Sequence, residues 1–338
     1  MPSYYEKYGG FLVTAAINKY MFINLNVPAI VNKIRISYTK TETVDPSRVN
    51  DIEHEIVRES LKYLNIKRPL EISSMADLSA GTGMGSSSSY TVGLLRALNA
   101  MLRRHIPVQE LAEEACKIEI DLIGKPIGKQ DQYAAAYGGV IVMEIDKSGK
   151  VTVAPLEIAH ETIYELENRL MMFYTDIQRD ANEILAEQSR EISEGGSGGQ
   201  GDKEKGRQGD KRTGGQGGGG KSSAVESMHR IKEIGREVKA ALEKGDVDRF
   251  GKLLHEHWLI KKNISTKMSN PDIDRWYETA MANGALGGKL MGAGGGGFLL
   301  LCVDNGKRKH LRSTMEAAGL RYMDFKFDWE GSKELVNI

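Results

Sequence analysis

Residues 77–97 read DLSAGTGMGSSSSYTVGLLRA, and the rest of the chain is interpreted outward from them. Gly81, Gly83 and Gly85 lead into four serines, after which Val92, Leu94, Leu95, Leu98, Met101 and Leu102 recur at helical spacing. Just upstream, residues 69–76 (PLEISSMA) have the character of a strand. Strand, glycine loop and helix in that order suit a phosphate. Glycines leave backbone N–H groups open, and the first helical turn offers unpaired donors at the positive end of its dipole. The hydroxyls of Ser86, Ser87, Ser88 and Ser89 are placed to cap the helix, meet phosphate oxygens or reach a magnesium ion. A plain turn before a serine-capped helix has the same pattern, so the context decides.

The chain has 338 residues, 40% of them hydrophobic, enough for a large core and two domains. Its 46 basic and 46 acidic residues balance, which gives no overall field toward nucleic acid or an anionic membrane and points to a small-molecule partner. Cys116 and Cys302 are far apart, without metal-type spacing, and no apolar run is long enough for a bilayer. The opening MPSYYEKYGG lacks the charged and apolar regions of a leader, so a cytoplasmic location is expected.

Residues 11–17, 20–27 and 33–38 predict three short strands and an antiparallel β opening. An amphipathic helix is expected over 49–64 and another over 108–123, then a hairpin of 138–145 with 151–156 around Asp146. A strand is expected at 170–174 and helices at 225–242 and 247–260. The strand 298–303, the helix 308–318 and the strand 322–327 give the last third an α+β character.

Residues 195–220 are half glycine and contain nothing apolar, so they predict a flexible loop. Within and just beyond it, residues 215–222 (GQGGGGKS) satisfy the G-x-x-x-x-G-K-[ST] pattern, but no buried strand precedes them, and a low-complexity chance match is the better reading. A second glycine cluster, GGKLMGAGGGG at 287–297, either lets the backbone pass under a phosphate or substrate, or makes a tight connection beside packed helices.

Three of these pieces together resemble the signatures of the GHMP superfamily of small-molecule kinases: GTGMGSSSS (81–89), GKQDQYAAAYGG (128–139) and KLMGAGGGG (289–297). PSYYEKYGGFLVTAAINKY (2–20) together with GKQDQYAAAYGG looks like the branch that phosphorylates D-glycero-D-manno-heptose 7-phosphate at C1. The resemblance spans nearly all of the chain outside 195–220. It implies a two-domain α+β fold, with a ribosomal S5 domain 2-like ATP-binding domain over 1–160 and a ferredoxin-like domain over 161–338. It implies ATP and Mg²⁺ as cofactors and a sugar phosphate as acceptor, and it is compatible with a homodimer.

Carried over by residue, Gly81, Gly83, Gly85, Ser86, Ser87 and Ser88 would wrap the ATP phosphates, while Ser87 and Glu119 would hold Mg²⁺. Asp131 would accept or orient the proton of the sugar hydroxyl, with Lys129 as the nearest cation in sequence. Arg179 would take the 7-phosphate, and Gly292, Gly294 and Gly295 would line the substrate side. A loose phosphoryl-transfer transition state makes alignment and charge neutralisation the main task of such residues.

Two departures stand out. Relatives begin with a strand and a Gly-Gly-Gly-Thr-Asp type motif upstream of the segment matching Pro2-Ser-Tyr-Tyr, so part of the sugar side is expected to be missing here. Ser79 stands where many relatives have proline. Competing expectations are another acceptor, such as fucose, galactose or mevalonate, and a non-catalytic nucleotide- or sugar-phosphate-binding protein.

Overall fold

The computed structural model describes residues 1–177, 181–195, 224–265 and 267–336. A short helix α1 (Pro2–Tyr8) leads into β1 (Gly10–Ala15), β2 (Met21–Asn26), β3 (Ile34–Ser37) and β4 (Thr41–Val44). Helix α2 (Glu55–Tyr63), β5 (Leu70–Ala76) and helix α3 (Ser86–Met101) follow. After α4 (Val108–Cys116) come α5 (Gln130–Tyr137), β6 (Val140–Ile145) and β7 (Val151–Pro155).

The three opening strands do not form one antiparallel unit. β1 pairs with β6 in a sheet ordered β1-β6-β7, whereas β2 lies at the edge of a second sheet, β2-β5-β3-β4, in which β3 and β5 run parallel. The chain crosses between the sheets at residues 16–20, where partners come from its far end. Asn18 N–H donates to the Lys326 carbonyl at 2.9 Å, Asp328 N–H donates to Ala16 at 3.0 Å, and Ile17 bridges Phe327. The helix expected over 49–64 is likewise divided. A 3-10 turn (Pro46–Asp51) precedes α2, and the Glu42 carboxylate holds the break by accepting from the N–H groups of Glu53 and His54 at 2.6 and 3.1 Å.

Helix α3 is buried on two sides. Tyr90, Leu94 and Leu98 pack on the β2-β5-β3-β4 sheet with Ile34, Ile36 and Ile72, while Val92 and Leu95 pack toward α4, α5 and β6. The glycine loop therefore opens onto the end of a helix fixed from both faces.

The remaining elements are α6 (His160–Arg169), β8 (Leu170–Tyr174), α7 (Ala181–Gly195), α8 (Ala224–Glu243), α9 (Val247–Lys261), α10 (Pro271–Ala282), β9 (Ala285–Leu290), β10 (Phe298–Val303), α11 (Arg308–Ala317) and β11 (Arg321–Met323). Strand order β11-β8-β10-β9, antiparallel throughout, is the split βαββαβ arrangement of a ferredoxin-like domain. Among the described residues no helix is long and apolar enough to cross a membrane.

Strand alternation assigns each sheet face to a different core. In β6, Ile141, Met143 and Ile145 join the cluster under α3, α4 and α5, whereas Val140 and Val142 join Ile234, Val238, Leu253 and Leu254 of α8 and α9. One strand thus serves both halves. Met143 is fully buried, so Met143→Ala is expected to destabilise the protein by about 2–5 kcal/mol. Urea unfolding checks this against Leu335→Ala, an exposed position expected to shift stability by less than about 0.5 kcal/mol.

Candidate active site

The site begins at the uncapped N-terminus of α3. Gly85, at φ +72°, precedes the first turn, and no side chain caps it, contrary to the capping role open to the serines. Ser86 Oγ and Thr82 Oγ1 donate instead to the Ser79 carbonyl, at 3.3 and 2.9 Å, which ties the loop to itself. Ser88 is buried. The first N–H groups of α3 are left for an anionic ligand, and the helix dipole favours it there.

Ser87 points the other way. Its Oγ donates to Glu119 Oε1 at 2.5 Å, across 32 residues of sequence. Glu119 has no exposed surface and lies in a π-helical turn (Lys117–Leu122) that interrupts the helix expected over 108–123. The wider turn is closed by Ile123 N–H to the Ile118 carbonyl at 3.0 Å, and such turns recur at functional sites. Gln132 Nε2 donates to Glu119 Oε2 at 2.8 Å, and Lys125 Nζ donates to Glu119 Oε1 at 2.9 Å and to Ser87 Oγ at 2.6 Å. A hydroxyl and a carboxylate are hard oxygen donors of the kind magnesium takes. Two such donors suit a cation that takes phosphate oxygens and water as its remaining ligands.

Asp131 stands in the first turn of α5, against the same helix end: a Cβ built on Gly85 would lie 3.2 Å from its Cβ and Cγ. Solvent reaches its carboxyl, yet protein surrounds it deeply enough that desolvation, with the Glu119 charge adding to it, pushes it up to about 6. Lys289 and Lys261 oppose that rise. Lys261 is itself pushed down to about 7, by desolvation and then by Lys289, while Lys289 is lowered by desolvation against the pull of Asp131. His257 is held well below its ordinary value by burial and both lysines, and its Nδ1 has no hydrogen-bond partner among the described residues. A carboxylate whose charge is opposed by two lysines is an arrangement able to orient a hydroxyl beside a highly charged phosphate.

The second glycine run closes over the first. A Cβ on Gly292 would come within 2.6 Å of Gly83 Cα, and one on Gly83 within 2.9 Å of the Met291 carbonyl; both residues have positive φ. A Cβ on Gly297 would meet the Thr82 carbonyl at 2.3 Å. Gly294 and Gly295 pack on Met268, whose carbonyl accepts from Gly295 N–H at 3.0 Å. Lys261 Nζ donates to the Gly292 carbonyl at 2.8 Å.

The structure thus brings together Gly83, Gly85, Ser86, Ser87, Glu119, Asp131 and Gly292, while Gly81 sits in open space in the same loop. Lys129 is not among them. Its Nζ donates to the Gly149 carbonyl at 2.5 Å and lies 5.8 Å from the Tyr5 ring centre, so the cations acting on Asp131 are Lys289 and Lys261 instead. Arg179 and the P-loop-like residues 215–222 lie outside the described residues. The sequence held one signal for Lys261: it continues the stripe of Phe250, Leu254 and Trp258 along α9, where a lysine is out of place unless it serves a site. Lys289 lies in β9 just before the buried Leu290, inside the third glycine-rich signature.

Known proteins share this sequence and fold. The family models described as GHMP kinases N terminal domain and GHMP kinases C terminal match residues 54–139 and 238–319. A D-glycero-alpha-D-manno-heptose 7-phosphate kinase of Campylobacter jejuni is 31% identical over 98% of this chain and 92% of its own length. A galactokinase of Pyrococcus furiosus is 31% identical over 77% of this chain and 70% of its own. Among solved structures, a D-glycero-D-manno-heptose 1-phosphate kinase from Bacteroides thetaiotaomicron superposes with a TM-score of 0.73 at 25% identity, covering 96% of this chain and 90% of that one. By sequence, fold and the geometry of its cleft, the chain belongs to the GHMP kinases and is a sugar kinase, a phosphotransferase with an alcohol acceptor.

Proposed function

We propose that the chain transfers the γ-phosphoryl group of ATP to the C1 hydroxyl of D-glycero-D-manno-heptose 7-phosphate, giving the 1,7-bisphosphate. The end-to-end similarity to a heptose 7-phosphate kinase supports the acceptor. The observation that carries the chemistry is Asp131 beside Gly85 at the open end of α3, with Lys261 and Lys289 acting on its charge.

In this reading the 81–88 loop binds the ATP phosphates through the N–H groups of α3. Mg²⁺, held by Ser87 and Glu119, would supply neutralising charge to the β and γ phosphates. Asp131 accepts the hydrogen bond of the C1 hydroxyl, aligns its oxygen with phosphorus and takes the proton as the new C–O–P bond forms and the bond to ADP breaks. Lys261 and Lys289 spread the negative charge of the transferring group. Arg179 is retained as the residue for the 7-phosphate. The two domains divide at residue 160, where α6 begins, and the protein acts in the cytoplasm with both cysteines buried and reduced. The Pyrococcus galactokinase, as similar in identity over a shorter span, favours galactose as the second acceptor to consider.

ADP release with Mg-ATP across heptose 7-phosphate, galactose, fucose and mevalonate tests the acceptor. Turnover is expected on the heptose phosphate, and a preference for an unphosphorylated sugar would overturn that assignment. Asp131→Asn is expected to lower kcat by about 10²–10⁴-fold, and Lys289→Met by about 10²–10³-fold, with the fold retained by circular dichroism.

The pH profile of kcat/KM follows from the two shifted groups. Asp131 must be ionised, so activity rises as pH passes about 6; Lys261 must be charged, so activity falls above about 7. Asp131→Asn should flatten the acid limb, and Lys261→Met the alkaline one.

A further inference from the structure

Lys125 is the one cation in hydrogen-bond contact with both of the oxygens assigned to the metal, among the described residues. Its Nζ lies 2.6 Å from Ser87 Oγ and 2.9 Å from Glu119 Oε1, and those two oxygens are 2.5 Å apart. The ammonium thus engages the same lone pairs that a divalent ion would use. Its backbone is fixed: Lys125 N–H donates to the Glu119 carbonyl at 3.0 Å, directly after Gly124 at φ +81°. Its side chain is 18% exposed, whereas that of Glu119 is wholly buried. With the backbone held and part of the side chain open to solvent, it is the side chain that has room to move.

Glu119 explains why a cation belongs there. Its carboxylate is fully desolvated, and one neutral amide and one hydroxyl would leave its charge uncompensated, which is costly in a protein interior. Lys125 supplies that compensation within the chain. A divalent ion and the ammonium compete for the same two oxygens and repel one another there, so entry of one drives out the other. The N-terminus of α3, to which Ser87 belongs, lies alongside, and phosphate oxygens bound there offer the displaced ammonium a new partner.

We infer that Lys125 is a resident counter-cation that holds the Ser87–Glu119 pair assembled without metal and yields its place to the divalent ion when nucleotide phosphates are present to receive it. This rests on the metal reading given above. It makes metal and nucleotide binding mutually reinforcing, since each removes an obstacle to the other. It also gives Lys125 two partners in turn, a carboxylate in the free enzyme and a phosphate in the complex.

Mn²⁺ binding to the full chain, followed by electron paramagnetic resonance with and without a non-hydrolysable ATP analogue, tests it. Wild type is expected to bind free Mn²⁺ weakly and much more tightly with the analogue. Lys125→Met, which removes the competing charge, should bind free Mn²⁺ at least about tenfold more tightly and gain less from the analogue. Lys125→Arg keeps the charge and should keep the weak binding. In EDTA, Lys125→Met should melt below wild type, and saturating Mn²⁺ should close the gap. Equal free-Mn²⁺ affinity in wild type and Lys125→Met would overturn the inference while leaving the metal site standing. Absence of Mn²⁺ binding in wild type, even with the analogue, would overturn both, and ADP release would still report on the kinase reading separately.

Discussion

The structure depends on a contact that tolerates no side chains. Gly83 and Gly292, from loops more than two hundred residues apart, meet backbone to backbone, and Gly297 presses against the Thr82 carbonyl. Nothing larger than hydrogen fits on the facing α-carbons, and the positive φ of both residues suits glycine alone. This contact sets the separation between the helix end that would receive phosphate and the lysines on the opposite wall. A methyl group in the seam would push Lys261 and Asp131 apart, because Lys261 is bonded to the Gly292 carbonyl and Asp131 leans on Gly85.

The charges in the cleft are arranged around that separation. Glu119 and Asp131 are two carboxylates on one side, and repulsion from Glu119 adds to the desolvation that makes Asp131 a weaker acid. Lys261 and Lys289 are two like cations on the other, each lowered in part by desolvation. Asp131 and the two lysines relieve one another, Lys125 compensates Glu119, and an incoming anion relieves the lysines further. Such strain is typical of sites poised for a charged ligand. The protein holds it because α3, which anchors one side, is buried on two faces, and β9 and α9, which anchor the other, pack directly together through Gly251 and Gly287.

Much of this was legible in the sequence where the signal is local. Residues 69–102 predict a strand, a glycine turn and a helix, and the structure has β5, the loop and α3 in that order. Glu119 is selected by resemblance alone among the acids of its helix, whereas Asp131 also stands out locally, flanked by Gln130 and Gln132 between the Gly128 turn and an alanine-rich segment. What failed to show was partner choice. Residues 11–17 and 20–27 were sound strands, but their partners are β6 and β5, and pairing across such distances leaves no local mark. The helix over 108–123 kept its apolar spacing through the π turn, so periodicity gave no warning of the extra residue that carries Glu119 inward. Adjacency along the chain points to Lys129, yet from the N-cap of α5 its side chain reaches the β6–β7 turn. The lysines that do act on Asp131 come from α9 and β9, which only the tertiary fold brings near.

The sharing of β6 between two cores bears on how such a chain tolerates changes in length. Met143 and Val142 are neighbours in sequence and inhabitants of different interiors. Deleting or inserting one residue in this strand would exchange its two faces, sending each set of side chains into the wrong core. Both halves would be disrupted by one event, and no compensating substitution on one side could repair the other. Length variation is therefore confined to places where neither face is committed. The three strands of the shared sheet must keep their count.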